Sequence, residues 1–279
     1  MNKVATLTIT LLNILLAQSI DMDKFKNMKA RSIGPAGMSG RVTAIDVVLS
    51  NTDVMYVGTA SGGIWKSESG GIKWEPIFDN EKAASIGDVA VAPSNPDVVW
   101  VGTGEGNPRN SQSAGYWVYK SVDGGKNWTN MGLKNSERIS KIVIHPKNSN
   151  IVWVAVQGPL WSSGGQRGLY KTMDGGKNWK LVLKDNKWTG ATEIILDPSN
   201  NKVMYAALWQ RLRTVAAYMG GGPGSGIYKS YDEGETWKKL TNGLPKSNMG
   251  KIGLDISLSL IHISEPTRRR GISYAVFCL

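Results

Sequence analysis

Tryptophan and tyrosine, interleaved with arginine, glutamine and glutamate, recur in three stretches of this chain. That mixture suits recognition of a carbohydrate or a peptide, because flat rings cover apolar faces while guanidinium and amide groups fix polar ones. Stretch 103–117 carries Glu105, Asn107, Arg109, Tyr116 and Trp117. Stretch 157–168 carries Gln157, Trp161, Gln166 and Arg167. Stretch 208–226 carries Trp209, Gln210, Arg211, Arg213 and Tyr218, and then Gly220-Gly221-Gly222-Pro223-Gly224. Glu105, Arg109, Trp161, Arg167, Trp209, Arg211 and Tyr218 are the expected ligand-binding residues. A second set of chemically capable groups is Asp123, Asp174 and Asp232. These sit in Gly-containing turns, where a carboxylate accepts backbone N–H bonds, so a structural role is expected of them. No catalytic residue is assigned.

Other chemistry finds little support. Gly102-Thr103-Gly104-Glu105-Gly106 lacks the spacing of a dinucleotide-binding turn, and Tyr228-Lys229-Ser230 lacks the Gly-Lys of a phosphate loop. His145 is expected in a turn, and with no second histidine or cysteine near it no zinc site is visible. Neither a metal nor a cofactor is expected. The formal net charge is +11. It is expected mainly on exposed repeat lysines such as Lys66, Lys120, Lys171 and Lys229, a solvated face rather than a nucleic-acid surface.

The elements that must position these residues repeat four times. Ile64-Trp65-Lys66-Ser67 leads to Trp74, Val118-Tyr119-Lys120-Ser121 to Trp128, Leu169-Tyr170-Lys171-Thr172 to Trp179, and Ile227-Tyr228-Lys229-Ser230 to Trp237. The first aromatic and the Trp are 9 residues apart in every copy. Successive Trp residues are 54, 51 and 58 apart, enough for four short strands. The first strand is apolar and small (Arg41–Ile45, Ile86–Val91, Ile139–Ile144, Thr192–Leu196). Pro93-Ser94-Asn95, Pro146-Lys147-Asn148 and Pro198-Ser199-Asn200 mark the tight turns before the second. Four antiparallel strands per repeat, stacked radially, predict an all-β fold: a β-propeller of about four blades plus the start of a fifth at Ile252–Ile256.

Loop length places function on one face. The first-to-second and third-to-fourth turns are short and constant. The second-to-third spacing, aromatic to aromatic, is 9, 19, 17 and 23 residues (Tyr56–Trp65, Trp100–Tyr119, Trp153–Tyr170, Tyr205–Tyr228). Variable loops on one side of a rigid scaffold are the usual layout of a binding surface.

Both ends fall outside the repeat. Residues 1–19 have a basic start, an apolar run from Val4 to Ala17 and small residues at Ala17-Gln18-Ser19, which reads as a signal peptide rather than a membrane span. Residues 20–257 are the expected propeller. Residues 258–279 hold the single cysteine; Leu260–Arg268 and Ile272–Leu279 closely resemble a translated sequencing-adapter peptide and are read as a non-native tail, with further blades of the same protein expected in its place. Without both ends the charge is about +8 and no cysteine remains, which suits a bacterial secreted, periplasmic or cell-surface protein.

Ser121-Val122-Asp123-Gly124-Gly125-Lys126-Asn127-Trp128, Thr172-Met173-Asp174-Gly175-Gly176-Lys177-Asn178-Trp179 and Ser230-Tyr231-Asp232-Glu233-Gly234-Glu235-Thr236-Trp237 are identified as Asp-box repeats, also called bacterial neuraminidase repeats. In Ser67-Glu68-Ser69-Gly70-Gly71-Ile72-Lys73-Trp74 a serine stands where Asp belongs. The span from about 30 to 257 resembles secreted bacterial propellers of the sortilin N-terminal and xyloglucanase-like kind, on Arg31–Arg41, Tyr56–Trp65 and Gly102–Arg109. The resemblance implies that Ser121, Asp123, Gly125 and Trp128, Thr172, Asp174, Gly176 and Trp179, and Ser230, Asp232, Gly234 and Trp237 are structural. The xyloglucanases use two Asp across a cleft. The first belongs just before Gly62-Gly63, where this chain has Thr59-Ala60-Ser61, and the second belongs to blades that are absent. The leading expectation is therefore an exported module that binds a glycan or polypeptide through the long loops. A glycoside hydrolase with Glu105 or missing blades supplying its acids, and a structural surface array, are the alternatives.

Overall fold

The computed structural model describes residue 23 and residues 41–108 and 112–256. The chain divides into two compact units, Met1–Ala36 and Gly37–Leu279. Of the first only Asp23 is described, so the architecture below is that of the second. The expected signal peptide, residues 1–19, and the expected non-native tail, residues 258–279, lie outside the described residues, as does Arg109.

The described residues are all-β. Blade 1 comprises β1 (Val42–Val47), β2 (Met55–Thr59), β3 (Ile64–Ser67) and β4 (Glu75–Pro76). Blade 2 comprises β5 (Ile86–Val91), β6 (Val99–Thr103), β7 (Val118–Ser121) and β8 (Thr129–Asn130). Blade 3 comprises β9 (Ile139–Ile144), β10 (Val152–Val156), β11 (Gly168–Thr172) and β12 (Lys180–Leu183). Blade 4 comprises β13 (Thr189–Asp197), β14 (Asn200–Gln210), β17 (Gly226–Ser230) and β18 (Lys238–Lys239), with the hairpin β15 (Leu212–Arg213) and β16 (Tyr218–Met219) inserted before its third strand. Each blade is a four-stranded sheet in simple sequential order. Neighbouring strands run antiparallel. The innermost strands β1, β5, β9 and β13 lie side by side, which stacks the blades radially as a propeller. Residues 252–256 form no strand among the described residues.

Period-2 alternation explains how one sheet serves two seams. In β6, Val99 and Val101 pack toward blade 1, joining Tyr56, Ile64, Phe78 and Tyr119. On the opposite face Val98, Trp100 and Val118 join Ile142, Val152 and Val154 of blade 3. In β10 the same switch sends Trp153 and Ala155 toward Ile194, Met204, Ala206 and Leu208 of blade 4. Strands buried on both faces must be apolar throughout, which is why β6 and β10 read as near-continuous hydrophobic runs. Blades also approach closely. A Cβ on Gly190 would collide with the backbone of Gln157, so only glycine lets blade 4 reach blade 3 there.

The constant turns are built the same way four times. Asn51, Asn95, Asn148 and Asn200 each accept the N–H of the residue two places on, at 3.0–3.3 Å. These are side-chain-closed turns that set the register between first and second strands.

Candidate functional site

The box carboxylates are engaged in turn-building. Asp123 Oδ1 accepts the hydroxyl of Ser121 at 2.7 Å and the N–H groups of Lys126 and Asn127, while Oδ2 accepts Asn127 Nδ2 at 2.7 Å. Asp174 and Asp232 repeat the arrangement with Thr172 and Asn178 and with Ser230 and Thr236. The bonds from Asn127 hold Asp123 down at about 2, and those from Asn178 hold Asp174 there too. Asp232 also sits at about 2; burial works against the shift and the bonds from Thr236 and Ser230 outweigh it. Groups so acidic cannot donate a proton near neutral pH. The tryptophans tie blades together: Trp128 Nε1 donates to Ile77 O at 2.9 Å, and Trp179 Nε1 to Met131 O at 2.7 Å. Gly176, at φ 95°, occupies a position where a Cβ would stand 2.6 Å from Trp100.

The repeat lysines are not a solvated face. Lys171 is buried, donates to Glu233 O at 2.9 Å and Glu235 Oε1 at 2.6 Å, and lies over the Trp153 ring at 5.3 Å. Lys120 lies over Trp100 at 5.2 Å and donates to Gly175 O. Lys66 lies over Tyr56 at 5.5 Å, and the Tyr56 hydroxyl donates to Gly124 O at 3.1 Å. Each second-strand ring thus receives the lysine of its own third strand, and in blades 1–3 the ring or the lysine holds the box turn of the next blade. The expectation of exposed charge failed because the sequence cannot show that the next blade covers Lys66, Lys120 and Lys171, or that Lys229 is half-buried against Tyr205 and Tyr231.

At the opposite face, four of the expected ligand residues are consumed by loop architecture. Glu105 is fully buried and gripped by Arg41, with Nε to Oε1 at 2.9 Å and Nη2 to Oε2 at 2.5 Å; Asn107 Nδ2 adds a third bond to Oε1. Arg167 is buried and donates to four carbonyls, those of Gly164, Gln157, Pro159 and Ser162. Trp209 belongs to β14, is buried, and donates to Gly220 O at 2.8 Å, fastening the glycine run. Arg211 is buried beside it, its guanidinium 4.7 Å from the Trp209 ring, with Nε and Nη2 lacking a hydrogen-bond partner among the described residues.

Trp161 and Tyr218 are the two expected residues that face solvent, 53% and 54% exposed. They belong to the loops of blades 3 and 4 and meet over Arg213, whose guanidinium is 5.8 Å from the Trp161 ring and 5.3 Å from the Tyr218 ring. Arg213 N–H donates to Leu160 O, which joins the two loops. The hairpin β15–β16 pairs Arg213 with Tyr218, so the backbone itself sets the ring beside the cation. Sequence reading placed Arg213 in the stretch but not among the binders; its signal was the Arg-x-Arg alternation, which puts Arg211 and Arg213 on one side of an extended chain.

Gln157 organises the ground beneath. Its N–H donates to Arg138 O, its carbonyl accepts Arg167 Nη1 at 2.7 Å, and its Nε2 donates to Gly106 O at 2.8 Å. Arg138, another residue that sequence reading passed over, is buried and pairs with Glu137 at 2.8 Å. Burial pulls Arg167 down to about 10 and Arg211 to about 9, with Arg138 and Arg167 adding like-charge repulsion on Arg211. Nearer the inner strands lies an acidic group. Burial pushes Asp88 up to about 7 and raises Asp46 and Glu193, while Lys141 lies 3.6 Å from Asp88. Asp46 and Asp88 accept the N–H groups of Val91 and Ile142 in the next blade, so they serve as braces. His145 sits in its turn, accepting Lys147 N–H at Nδ1. Among the described residues no group of three His, Cys, Asp or Glu could hold a metal, and no helix is long and apolar enough to cross a membrane.

Residues 62–211, just over half of the chain, match the Sortilin-Vps10 family, described as sortilin, neurotensin receptor 3. No curated protein matches the sequence. Among solved structures the chain is similar to an ancestral GH74 enzyme (TM-score 0.55, 22% identity, 74% of this chain and 26% of that one). It is also similar to the GH74 enzyme of Niastella koreensis (0.53, 21%, 71% and 29%) and to the GH74 xyloglucanase of Xanthomonas campestris (0.52, 18%, 73% and 30%). The chain thus spans between a quarter and a third of the length of these structures. At such identities the likeness is one of fold.

Proposed function

The chain belongs to the Sortilin-Vps10 family, and on that premise we propose that it is an exported glycan-binding propeller whose binding surface is the long-loop face of blades 3 and 4. The observation that carries the reading is the exposed pair Trp161 and Tyr218 on either side of Arg213. Two rings held by separate loops offer flat apolar area to the C–H faces of sugar rings at little entropic cost, and the guanidinium between them offers planar donors to hydroxyl groups. Both loops are fixed from below by Arg167 and Trp209, so the platform is preorganised. Export rests on the leader-like composition of residues 1–19. Glu105, the acid weighed for hydrolysis, has both oxygens held by Arg41 and no exposed surface, which favours binding over catalysis.

The test is a glycan array followed by titration of the full chain with a captured oligosaccharide. Trp161→Ala should weaken binding at least about tenfold, as loss of an aromatic anchor does, with no release of reducing ends. Absence of any glycan ligand would defeat the reading. So would sugar release abolished by Glu105→Gln.

A further inference from the structure

We propose that the ligand is acidic: a glycan bearing a carboxylate, of the uronic-acid class, with Arg213 receiving that carboxylate between Trp161 and Tyr218. The inference deepens the glycan-binding reading and rests on it.

Arg167, Arg211 and Arg213 make no ion pair among the described residues. The carboxylates nearby are committed elsewhere, Glu105 to Arg41 and Glu137 to Arg138. Arg167 spends its donors on neutral carbonyls, which satisfy its hydrogens without a contacting carboxylate; Glu137 acts on it only from a distance. Arg211 lies two residues from Arg213, nine-tenths and more buried, with two guanidinium nitrogens unpartnered. Three guanidinium groups with no contacting carboxylate among the described residues, and with Arg138 repelling two of them while Glu137 offsets part of the charge, leave a net positive potential. In a protein interior, where screening is weak, such a field acts over several ångströms. Of the three, only Arg213 is partly open to solvent, and it stands where the rings converge.

A cation between two aromatic faces retains its in-plane N–H edge. That edge fits a carboxylate through two parallel charge-assisted bonds, a geometry a neutral hydroxyl cannot match. A sugar acid presents both parts at once: a ring face for tryptophan and a carboxylate at its rim. An acidic peptide offers the carboxylate without the flat ring face, which is why the glycan is the better occupant.

The experiment is calorimetric titration of the full chain with an oligogalacturonate, with the same oligosaccharide methyl-esterified, and with oligoglutamate of equal charge. The acid should bind at least about tenfold more tightly than the ester, the size expected of one charge-assisted bidentate contact. Raising salt should weaken the acid alone. Arg213→Gln should erase the difference between acid and ester while Arg213→Lys restores part of it, and Trp161→Ala should weaken both. Equal affinity for acid and ester, or an acid preference surviving Arg213→Gln, overturns the inference and leaves the glycan-binding reading standing. Binding of oligoglutamate with no binding of either sugar, or no binding of any of the three, also overturns the inference, and the glycan array then decides whether the broader reading stands.

Discussion

One residue shows how much the repeat grammar carries. In the first box Ser69 stands where the other three copies have Asp. Its hydroxyl accepts Lys73 N–H at 2.8 Å and lies 3.3 Å from Ser67 Oγ. It thus keeps one backbone bond of the turn, whereas Asp123 takes two backbone and two side-chain donors. Gly70 and Gly71 hold the same positive φ, 61° and 88°, as their counterparts in the other boxes, so the backbone already has the shape the carboxylate needs. Ser69→Asp should therefore stabilise the chain, by about 1 kcal/mol for the added hydrogen bonds. The check is the urea midpoint, and an unchanged or lower value would show that the turn relies on its glycines alone. This level was readable from sequence, because a hydroxyl, a carboxylate, a glycine and a tryptophan at fixed offsets all act within eight residues. Glu105 was not readable. Its partner Arg41 is 64 positions away, and nothing in the local pattern distinguishes a carboxylate offered to a ligand from one locked under a guanidinium.

Between elements, the seams decide what a side chain means. The four blades, their strands and the face that gathers long loops follow from period and spacing alone, since each is a property of one repeat. The lysines that clamp successive blades follow from how repeats stack, which the spacing of one repeat does not contain. Lys171 and Lys120 occupy the same position in blades 3 and 2 but hold different partners. Lys171 has a carboxylate, a carbonyl and a ring, whereas Lys120 has a carbonyl at 3.3 Å and a ring. Burial lowers the Lys120 ammonium from its ordinary range, the mark of a charge with little to offset its desolvation. Lys171→Met should accordingly cost about 1–3 kcal/mol, and Lys120→Met should be close to neutral. Paired urea titrations compare them, and equal losses at the two sites would mean that the ring contacts, common to both, matter more than the ion pair. The same logic applies to the long loops. Aromatic and arginine content singled out three stretches, yet Trp209, Arg167 and Arg211 turn inward because a loop of such length needs internal supports before it can present anything. Trp161, Arg213 and Tyr218 remain outside because two loops meet there and neither covers the other.

For the whole molecule, two families of carboxylates oppose each other in pH. The box aspartates Asp123, Asp174 and Asp232 sit near 2, below the ordinary 3.8, so the folded state favours their ionised form. Their contribution is complete above about pH 4 and is lost as pH falls toward 2. Asp88 runs the other way. Burial raises it to about 7, and Asp46 and Glu193, packed around Lys141, are raised for the same reason. Between 3.8 and 7 the folded chain retains a proton on Asp88 that the unfolded chain has released. Stability from this group is therefore greatest at low pH and declines as pH rises through that window. Together the two families should draw the stability maximum toward about pH 4, below the usual range of about pH 5 to 8. Asp88→Asn should preserve the acceptor for Ile142 N–H while removing the titration, and so should flatten the decline between pH 4 and 7 without altering the loss below 4. The measurement is the urea midpoint across pH 3–8 for both proteins. A midpoint that climbs steadily from pH 4 to 7 would mean that Lys141, 3.6 Å from the carboxylate, compensates Asp88 more fully than its burial allows, and an undiminished slope in Asp88→Asn would move the titration to Asp46 and Glu193.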